Sequence, residues 1–179
     1  MNLLPAIGVY AALAREQGCQ LTFPGRGRGI HEAVDARLLA RALAWAAVAP
    51  AARNEIFNVT NGDVFDWHDA WPAIAEACGL EPGDAEPQVL ATTMPPRAAE
   101  WADVVDRYRL LAPREMSAYV GSSWQYGDLL FGVGTRRSVP ALLSTVKIRQ
   151  AGFGDCIDTE DMFREWLAIL QERRLLPAP

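Results

Sequence analysis

The clearest periodic pattern of apolar residues lies between positions 35 and 48, just before Pro50. Apolar side chains recur there every three or four residues, and this spacing predicts a helix with one apolar face. The residues of that face are Leu38, Leu39, Ala42, Trp45 and Ala46. Proline cannot continue a helix, so the predicted element ends before Pro50.

Similar spacing predicts further helices along most of the chain. They cover residues 3–17, a segment from Asp66 or Asp69 to Cys78, the surroundings of Trp101 to Tyr108, residues 115–131, residues 141–151 and residues 158–172. Glycines interrupt the segment at 115–131. Gly18 and Gly79 follow two of the other segments, as glycines that end helices do. The last segment begins with acidic residues and ends before two arginines, a charge distribution that suits the helix dipole.

Only two short segments favour β-strands. Residues 20–23 precede Pro24, and residues 56–59, Ile-Phe-Asn-Val, are a β-forming run before the turn pair Asn61-Gly62. Residues 81–97 hold four prolines and predict an irregular connection or a short edge strand. Two four-residue strands do not form a stable sheet on their own, so we expect an α/β chain, mostly helical, that holds only part of a sheet.

Size and charge limit the classes of protein. A chain of 179 residues with 50% hydrophobic residues is expected to fold, as a single domain over residues 1–179. Its formal net charge is −5 and Lys147 is its only lysine, which argues against a nucleic-acid-binding face and against a polybasic membrane surface. No run of 18 apolar residues predicts a membrane-spanning helix.

The cysteines and the N-terminal segment indicate the compartment. Cys19, Cys78 and Cys156 are far apart and odd in number, whereas disulfide frameworks and zinc sites show paired spacing. We expect reduced, mostly buried thiols. Residues 3–14 are apolar, but no Lys or Arg precedes them as a signal peptide requires. The expectation is therefore a cytoplasmic protein.

The sequence lacks the usual motifs of nucleotide chemistry. Residues 25–29, Gly-Arg-Gly-Arg-Gly, are followed by Ile30 where the dinucleotide fingerprint has its third glycine. This segment is either a plain surface loop or a loop whose arginines contact a substrate or cofactor anion. Leu143 occupies the tyrosine position of a Tyr-x-x-x-Lys dyad that would end at Lys147. The two histidines have no partner at metal-ligand spacing, so we expect no metal site.

The segment most typical of a ligand pocket is residues 122–127, Ser-Ser-Trp-Gln-Tyr-Gly. It combines aromatic, small and polar residues in a helix that glycines interrupt, and pocket walls have this mixture of apolar area and a few hydroxyls. Trp124 and Tyr126 are therefore predicted to line a pocket. Three other tryptophans have helical spacing and are predicted to belong to the core: Trp67, Trp71 and Trp101.

Several segments of the chain resemble one known family. The most specific is NEIFNVTNGDVF at 54–65, and WQYGD at 124–128 continues the match. Further matching segments are MNL at 1–3, VYAA at 9–12, LTFPG at 21–25, DA at 35–36, WAA at 45–47 and GF at 152–153. Together, and in order along essentially the whole chain, they resemble the progesterone 5β-reductase and iridoid synthase-like family of atypical extended short-chain dehydrogenases.

The resemblance implies a fold and an activity. The chain would be the C-terminal portion of an extended short-chain dehydrogenase Rossmann fold with its substrate-binding lobe. Family members bind NADP(H) on an N-terminal half and reduce activated C=C bonds of enones by hydride transfer. Their glycine-rich fingerprint and their catalytic Tyr and Lys precede the part that this chain resembles, so we expect no catalytic residue here and no activity of this chain alone. Residues 56–59 resemble a late strand of the nucleotide-binding sheet, and the NGD turn after them is interpreted as structural.

The resemblance also implies substrate-binding residues. Met1 and Tyr126 fall on pocket positions of the family, and with Trp124 they are expected to shape the substrate pocket. Tyr126 stands where the plant enzymes have phenylalanine, and its hydroxyl leaves the substrate open between an enone and another carbonyl-containing small molecule. The cofactor-binding residues are not assigned, and a homodimer is one expected arrangement. The alternative is a stand-alone, non-catalytic module that binds a small molecule or docks on a partner.

Overall fold

Helices dominate the structure, a computed structural model that describes residues 3–26, 28–133 and 142–179. They are α1 (Leu3–Glu16), α2 (Ala36–Val48), α3 (Trp67–Ala77), α4 (Leu90–Thr93), α5 (Ala98–Arg107), α6 (Met116–Val120), α7 (Ser123–Leu130), α8 (Val146–Gln150) and α9 (Thr159–Glu172). Short 3₁₀ turns cover Pro50–Ala52 and Pro95–Arg97, and two strands are β1 (Leu21–Thr22) and β2 (Pro82–Gly83). The predicted fold class, mostly helical α/β, is confirmed.

Helix boundaries agree with the sequence where a capping residue is recognisable. The side chain of Asp35 accepts a hydrogen bond from the Arg37 backbone N–H and so caps the N-terminus of α2. Gly18 follows α1 with a φ of 66°, and Gly79 follows α3 with a φ of 67°. Because this left-handed conformation is accessible to glycine without strain, both glycines end their helices as predicted.

Two of the predicted helices are only partly correct. Residues 115–131 form two helices, α6 and α7, because Gly121 adopts a φ of 55° between them. The helix predicted at 141–151 begins only at Val146, and residue 141 lies outside the described residues.

β1 and β2 pair in parallel, with Leu21 opposite Pro82 and Thr22 opposite Gly83. The strand predicted at residues 20–23 is thus confirmed in shortened form, and the proline-rich segment supplies an edge strand, one of its two expected forms. The Trp71 indole N–H donates to the Leu21 carbonyl at 3.1 Å, so this strand pair is tied to α3.

The strand predicted at residues 56–59 is wrong. No described residue forms a ladder with it, and no backbone N–H of residues 56–60 donates a hydrogen bond within the described part of the chain. The side chains still alternate: Phe57 and Val59 pack inwards, whereas Ile56 is 86% exposed. The apolar pattern encodes this alternation, but a strand also requires a neighbouring strand to accept and donate its backbone hydrogen bonds.

The described residues belong to two compact units. Unit 1 comprises Met1–Arg28, Trp67–Ser138 and Phe163–Pro179, and unit 2 comprises Gly29–Asp66 and Val139–Met162. That residues 1–179 act as a single domain stays a prediction.

Unit 1 has an aromatic core. The rings of Phe23, Trp71 and Phe131 contact one another edge to face, with centroids 5.2 to 5.7 Å apart. Trp101 is fully buried and stacks on Tyr119 at 5.6 Å. The prediction that Trp67, Trp71 and Trp101 are core residues is confirmed, since each is buried.

Unit 2 is smaller and packs around α2 and α8. Leu38, Ala42, Ile148 and Phe153 form its buried cluster. The half-buried Trp45 covers this cluster and contacts the Phe57 and Phe153 rings, each at 5.6 Å. Other apolar side chains of the unit are exposed, among them Leu43 at 64% and Val48 at 81%.

The thiols differ from expectation. All three cysteines are free, but only Cys78 is buried, and Cys19 and Cys156 are exposed. The prediction of mostly buried thiols is therefore wrong, because the sequence does not show that residues 19 and 156 lie on the surface. Among the described residues, no helix has both the length and the apolar character needed to cross a membrane.

Candidate functional site

α7 carries two of the three predicted substrate-binding residues. Trp124 lies in its first turn and is 4% exposed, and Tyr126 follows in the same helix and is half-buried. Met1, the third predicted residue, lies outside the described residues. All contacts of α7 described below lie within unit 1.

The two rings do not share one face of α7. Residues two apart on an α-helix are separated by about 200° around its axis, because each residue turns about 100°. Trp124 lies on the buried side, together with Gly127, Asp128 and Phe131. Tyr126 stands at the edge of that side, so its ring is the one of the two that reaches the surface.

Gly127 allows α7 to pack closely against α1 and α4. A Cβ atom at this position would lie 3.3 Å from Leu3 Cδ1, 3.4 Å from Phe131 Cε2 and 3.7 Å from Leu90 Cδ1. These neighbours occupy nearly all the space beside the glycine. The residue between Tyr126 and Asp128 therefore has to be small for the helices to meet at this distance.

Asp128 is a buried carboxylate that sequence reasoning did not single out. It is 8% exposed, and its two oxygens accept hydrogen bonds from the backbone N–H groups of Leu90 at 2.7 Å and Ala91 at 3.0 Å. These N–H groups begin α4, whose N-cap residue, Val89, has no side-chain acceptor. No local signal in the sequence pointed to Asp128, because its two partners lie 38 and 37 residues earlier, in a segment predicted to be irregular or an edge strand.

Tyr126 is a half-buried polar residue of α7. Its backbone N–H donates to the Ser122 carbonyl at 3.3 Å, as expected within a helix. Within the described part of the chain its phenol makes no hydrogen bond. A phenol can donate to a carbonyl or hydroxyl oxygen of a small molecule.

The described residues also form a small cleft in each unit. The cleft of unit 1 is lined by α1, Cys78 and the C-terminal tail. The cleft of unit 2 is lined by residues such as Thr60, Ile148 and Arg149. Neither contains Trp124 or Tyr126, so the pocket role of these two residues stays a prediction.

The NGD turn is part of a buried polar clasp in unit 2. Asn61 is fully buried; its Oδ1 accepts from the Asp35 backbone N–H at 2.7 Å, and its Nδ2 donates to Thr159 Oγ1 at 3.0 Å. The Asn61 backbone bonds to Ala33 and Ile157. One asparagine therefore joins the start of α2 to the start of α9.

Asp63 completes this clasp. Its carboxylate accepts hydrogen bonds from the Thr159 backbone N–H at 2.8 Å and from Thr159 Oγ1 at 2.6 Å, at the N-terminus of α9. Between the two residues, Gly62 has a φ of 104°, and a Cβ there would lie 2.7 Å from an Arg149 guanidinium nitrogen. The polar side chains of this turn are thus used by structural hydrogen bonds, which favours the structural interpretation.

The glycine-rich loop is not an open phosphate cradle. A Cβ at Gly25 would lie 2.4 Å from the Phe23 ring and 2.6 Å from the Phe131 carbonyl oxygen, so the glycine serves close packing. Arg28 pairs with Asp69 at 2.8 Å on the surface. Gly27 lies outside the described residues. These contacts favour the surface-loop interpretation over an anion site.

The remaining ionisable candidates have structural surroundings. Burial lowers the pKa of His31 below its ordinary value, although Asp66 acts in the opposite direction. The His68 ring packs edge on against Phe23, with centroids 5.5 Å apart. Lys147 pairs with Glu55 at 2.7 Å. In the described ranges, no three His, Cys, Asp or Glu side chains are grouped so that they could hold a metal ion.

Comparison with known proteins identifies relatives along nearly the whole chain. No protein-family model matches it. An (S)-8-oxocitronellyl enol synthase of Nepeta cataria is 33% identical over 184 residues, and a 3-oxo-Delta(4,5)-steroid 5-beta-reductase of Arabidopsis thaliana is 30% identical over 183 residues. An (S)-8-oxocitronellyl enol synthase of Antirrhinum majus is 30% identical over 187 residues. Each match covers 99% of this chain and 45% of the relative.

The chain therefore spans less than half the length of the curated relatives that it matches. Its mostly helical architecture is that expected of the C-terminal portion of an extended short-chain dehydrogenase. The resemblance found in the NEIFNVTNGDVF and WQYGD segments is thereby confirmed. By sequence, these 179 residues are homologous, over 99% of their length, to part of the iridoid synthase and steroid 5β-reductase-like enzymes.

Proposed function

We propose that this chain is the C-terminal part of an NAD(P)H-dependent short-chain reductase that acts on an enone or another carbonyl-containing small molecule. The observation that carries the proposal is the match of 99% of the chain to a named steroid reductase and to enol synthases. More than half of each relative lies outside the matched part, and the proposed nucleotide-binding half belongs there.

The described residues do not fit a dinucleotide. The single glycine-rich loop packs against the Phe23 ring and the Phe131 carbonyl, and no fingerprint continues from it. In the complete reductase, NADP(H) would supply the hydride for the β-carbon, while a Tyr and a Lys outside these residues stabilise the enolate oxygen. This chain by itself is proposed to be inactive and to function in the cytoplasm as part of the longer enzyme.

The proposed role of this chain is to form the substrate pocket. α7 holds its buried face rigidly through Gly127 and Asp128 and leaves the Tyr126 phenol at the edge. Met1 is the second residue proposed for this wall, and Trp124 is proposed to contribute to the pocket from the buried side of α7. The phenol would orient a carbonyl or hydroxyl oxygen of the substrate, while apolar area contributed by the wall binds its carbon skeleton.

One observation supports a second candidate function, a non-catalytic module that docks on a partner. Residues 56–60 present backbone N–H groups that make no hydrogen bond within the described part of the chain. Ile56 is 86% exposed and Val48 is 81% exposed in the same unit. An extended segment with open backbone groups and exposed apolar side chains can accept a β-strand from another polypeptide or from a second copy.

The first test is the intact mass of the native protein in an extract of its source organism, captured with an antibody to these residues. A mass well above 19.6 kDa supports the reductase, and the DNA upstream of Met1 should then encode a glycine-rich βα fingerprint in frame. A mass near 19.6 kDa supports the docking module and contradicts the proposal that these residues are part of a longer reductase chain.

The second test is activity. The purified 179-residue chain should not oxidise NADPH in the presence of a 3-oxo-Δ4-steroid or another enone, and the longer protein should do so. Oxidation by the short chain would show that it contains a cofactor site that the structure does not reveal. A longer protein that is inactive on a broad panel of enones and ketones would contradict the proposed chemistry.

A further inference from the structure

We infer that Asp128 is a positioning residue for the proposed pocket wall: its carboxylate fixes α7 to the start of α4 and thereby sets where the Tyr126 ring stands. The inference rests on the proposed function only in describing this part of α7 as the wall of a substrate pocket. The positioning itself is a statement about hydrogen bonds and packing in unit 1.

The start of α4 requires an acceptor from elsewhere in the chain. The first N–H groups of a helix have no partner within the helix, and a polar side chain at the N-cap normally accepts from them. Val89 occupies that position with a φ of −87° and a ψ of 98°, and it has no polar atom in its side chain. Asp128 accepts from both Leu90 and Ala91 instead, from 38 and 37 residues away.

The same bonds hold α7. Asp128 directs its carboxylate towards α4 on the buried side, and Gly127 beside it leaves space only for direct helix contact. Tyr126 is two residues before Asp128, about 200° around the helix axis. A rotation or shift of α7 that the carboxylate prevents would therefore displace the phenol at the edge of the wall.

A capping role without positioning is the competing explanation. If Asp128 only stabilises α4, its loss lowers the stability of the protein and leaves the Tyr126 surroundings unchanged in the folded state. A serine at position 89 separates the two roles. It would cap α4 locally, since its backbone conformation is already extended as an N-cap requires, but it would not connect α4 to α7.

The experiment uses the 179-residue chain labelled with 3-fluorotyrosine and observed by ¹⁹F NMR. The chain has four tyrosines, and the Tyr126→Phe variant identifies the Tyr126 signal. The variants are Asp128→Asn, Asp128→Asn with Val89→Ser, and the control Asp106→Asn. Asp106 is an exposed aspartate of the same unit that pairs with Arg114 at 2.6 Å.

Asp128→Asn retains the shape of the side chain, but its NH₂ group opposes one of the two α4 donors. We expect the Tyr126 signal to shift or broaden while the other three tyrosine signals remain as in the parent protein. Addition of Val89→Ser should restore the urea midpoint but not the Tyr126 signal. Asp106→Asn should change neither the Tyr126 signal nor the urea midpoint. An unchanged Tyr126 signal in Asp128→Asn, or its recovery together with the urea midpoint, overturns the inference.

Misfolding of Asp128→Asn does not remove the test, because Val89→Ser supplies the lost cap and the double variant can be compared directly with Val89→Ser alone. A second arm adds a 3-oxo-Δ4-steroid to the parent protein. A Tyr126 signal that does not respond to the steroid contradicts the pocket for this substrate class, whereas the variant comparison still decides the positioning role. If the signal responds, Asp128→Asn should bind the steroid about tenfold more weakly, which corresponds to 1.4 kcal/mol.

Discussion

Replacement of Asn61 by alanine should be among the most damaging polar substitutions in unit 2. The asparagine is fully buried, accepts from the Asp35 backbone N–H and donates to Thr159 Oγ1. Alanine would leave the Asp35 N–H buried without an acceptor at the start of α2. Thr159 Oγ1 would retain its bond to Asp63 Oδ1 and lose the other.

The magnitude follows from these two bonds. A buried donor that loses its acceptor costs about 1–3 kcal/mol, and the loss of an ordinary side-chain hydrogen bond adds about 1 kcal/mol. We expect the Asn61→Ala substitution to lower the free energy of unfolding by about 2–4 kcal/mol, a large part of the total stability of a domain of this size.

Asn58→Ala is a matched control, because it makes the same chemical change three residues earlier in the chain. Asn58 is exposed and donates a single hydrogen bond, from Nδ2 to the Ser144 carbonyl at 3.1 Å. Its replacement should cost about 0.5 kcal/mol or less. Urea unfolding of both variants, followed by far-UV circular dichroism, measures the difference in unfolding free energy. The comparison requires that the dependence of this free energy on urea concentration is the same in both variants.

The reasoning is refuted if Asn61→Ala costs no more than Asn58→Ala. That result would mean that water or a local rearrangement satisfies the Asp35 N–H, and that the clasp does not hold α2 and α9 together. Asn61→Asp adds a finer check, since it retains an acceptor for Asp35 but places a carboxylate beside Asp63. We expect it to be destabilising as well, and less so at low pH.

Further predictions concern a thiol, a histidine and the proposed wall. Burial raises the pKa of the Cys78 thiol to about 12. Ellman's reagent at about pH 8 should therefore modify Cys19 and Cys156 promptly and Cys78 only after unfolding. Prompt reaction of all three thiols would show that Cys78 is accessible. Burial lowers the pKa of His31, so the unfolded chain binds more protons than the folded one below about pH 6.5 and stability falls as the pH decreases through that window. His31→Gln should weaken this dependence in urea midpoints measured at about pH 7 and about pH 5.5, and an identical pH dependence would exclude His31 as its source. Tyr126→Ala in the longer enzyme should raise KM or lower kcat for enone substrates, with Tyr126→Phe showing the part due to the hydroxyl; unchanged kinetics across a substrate panel would remove Tyr126 from the pocket.

Local sequence signals predicted most of the helices correctly. Gly18 ends α1 and Gly79 ends α3, as their positions after periodic apolar segments indicated. Capping depends on a few consecutive residues, so it can be recognised without knowledge of the tertiary structure. The buried tryptophans of α3 and α5 were predictable for a similar reason, because their spacing places them on one helix face.

The predicted site was less accessible to sequence reasoning. Trp124 and Tyr126 were chosen for their composition, and the structure places them on different sides of α7. Asp128 was overlooked because its partners, Leu90 and Ala91, lie 38 and 37 residues earlier in the chain. The thiols of Cys19 and Cys156 were expected to be mostly buried, but exposure depends on where a loop lies in the folded chain.

The sequence by itself determined the helical character of this protein, the glycines that end α1 and α3 and the resemblance to its relatives, since each of these depends on local spacing or on linear motifs. Only the tertiary structure decided that residues 56–59 alternate without forming a strand, that Asp128 caps a helix other than its own, and that Asn61 joins α2 to a threonine 98 residues later in the chain. The physical reason is common to all three. A hydrogen bond requires a partner at the correct distance, and for these groups the partner, or the lack of one, depends on residues that are brought together only when the chain folds.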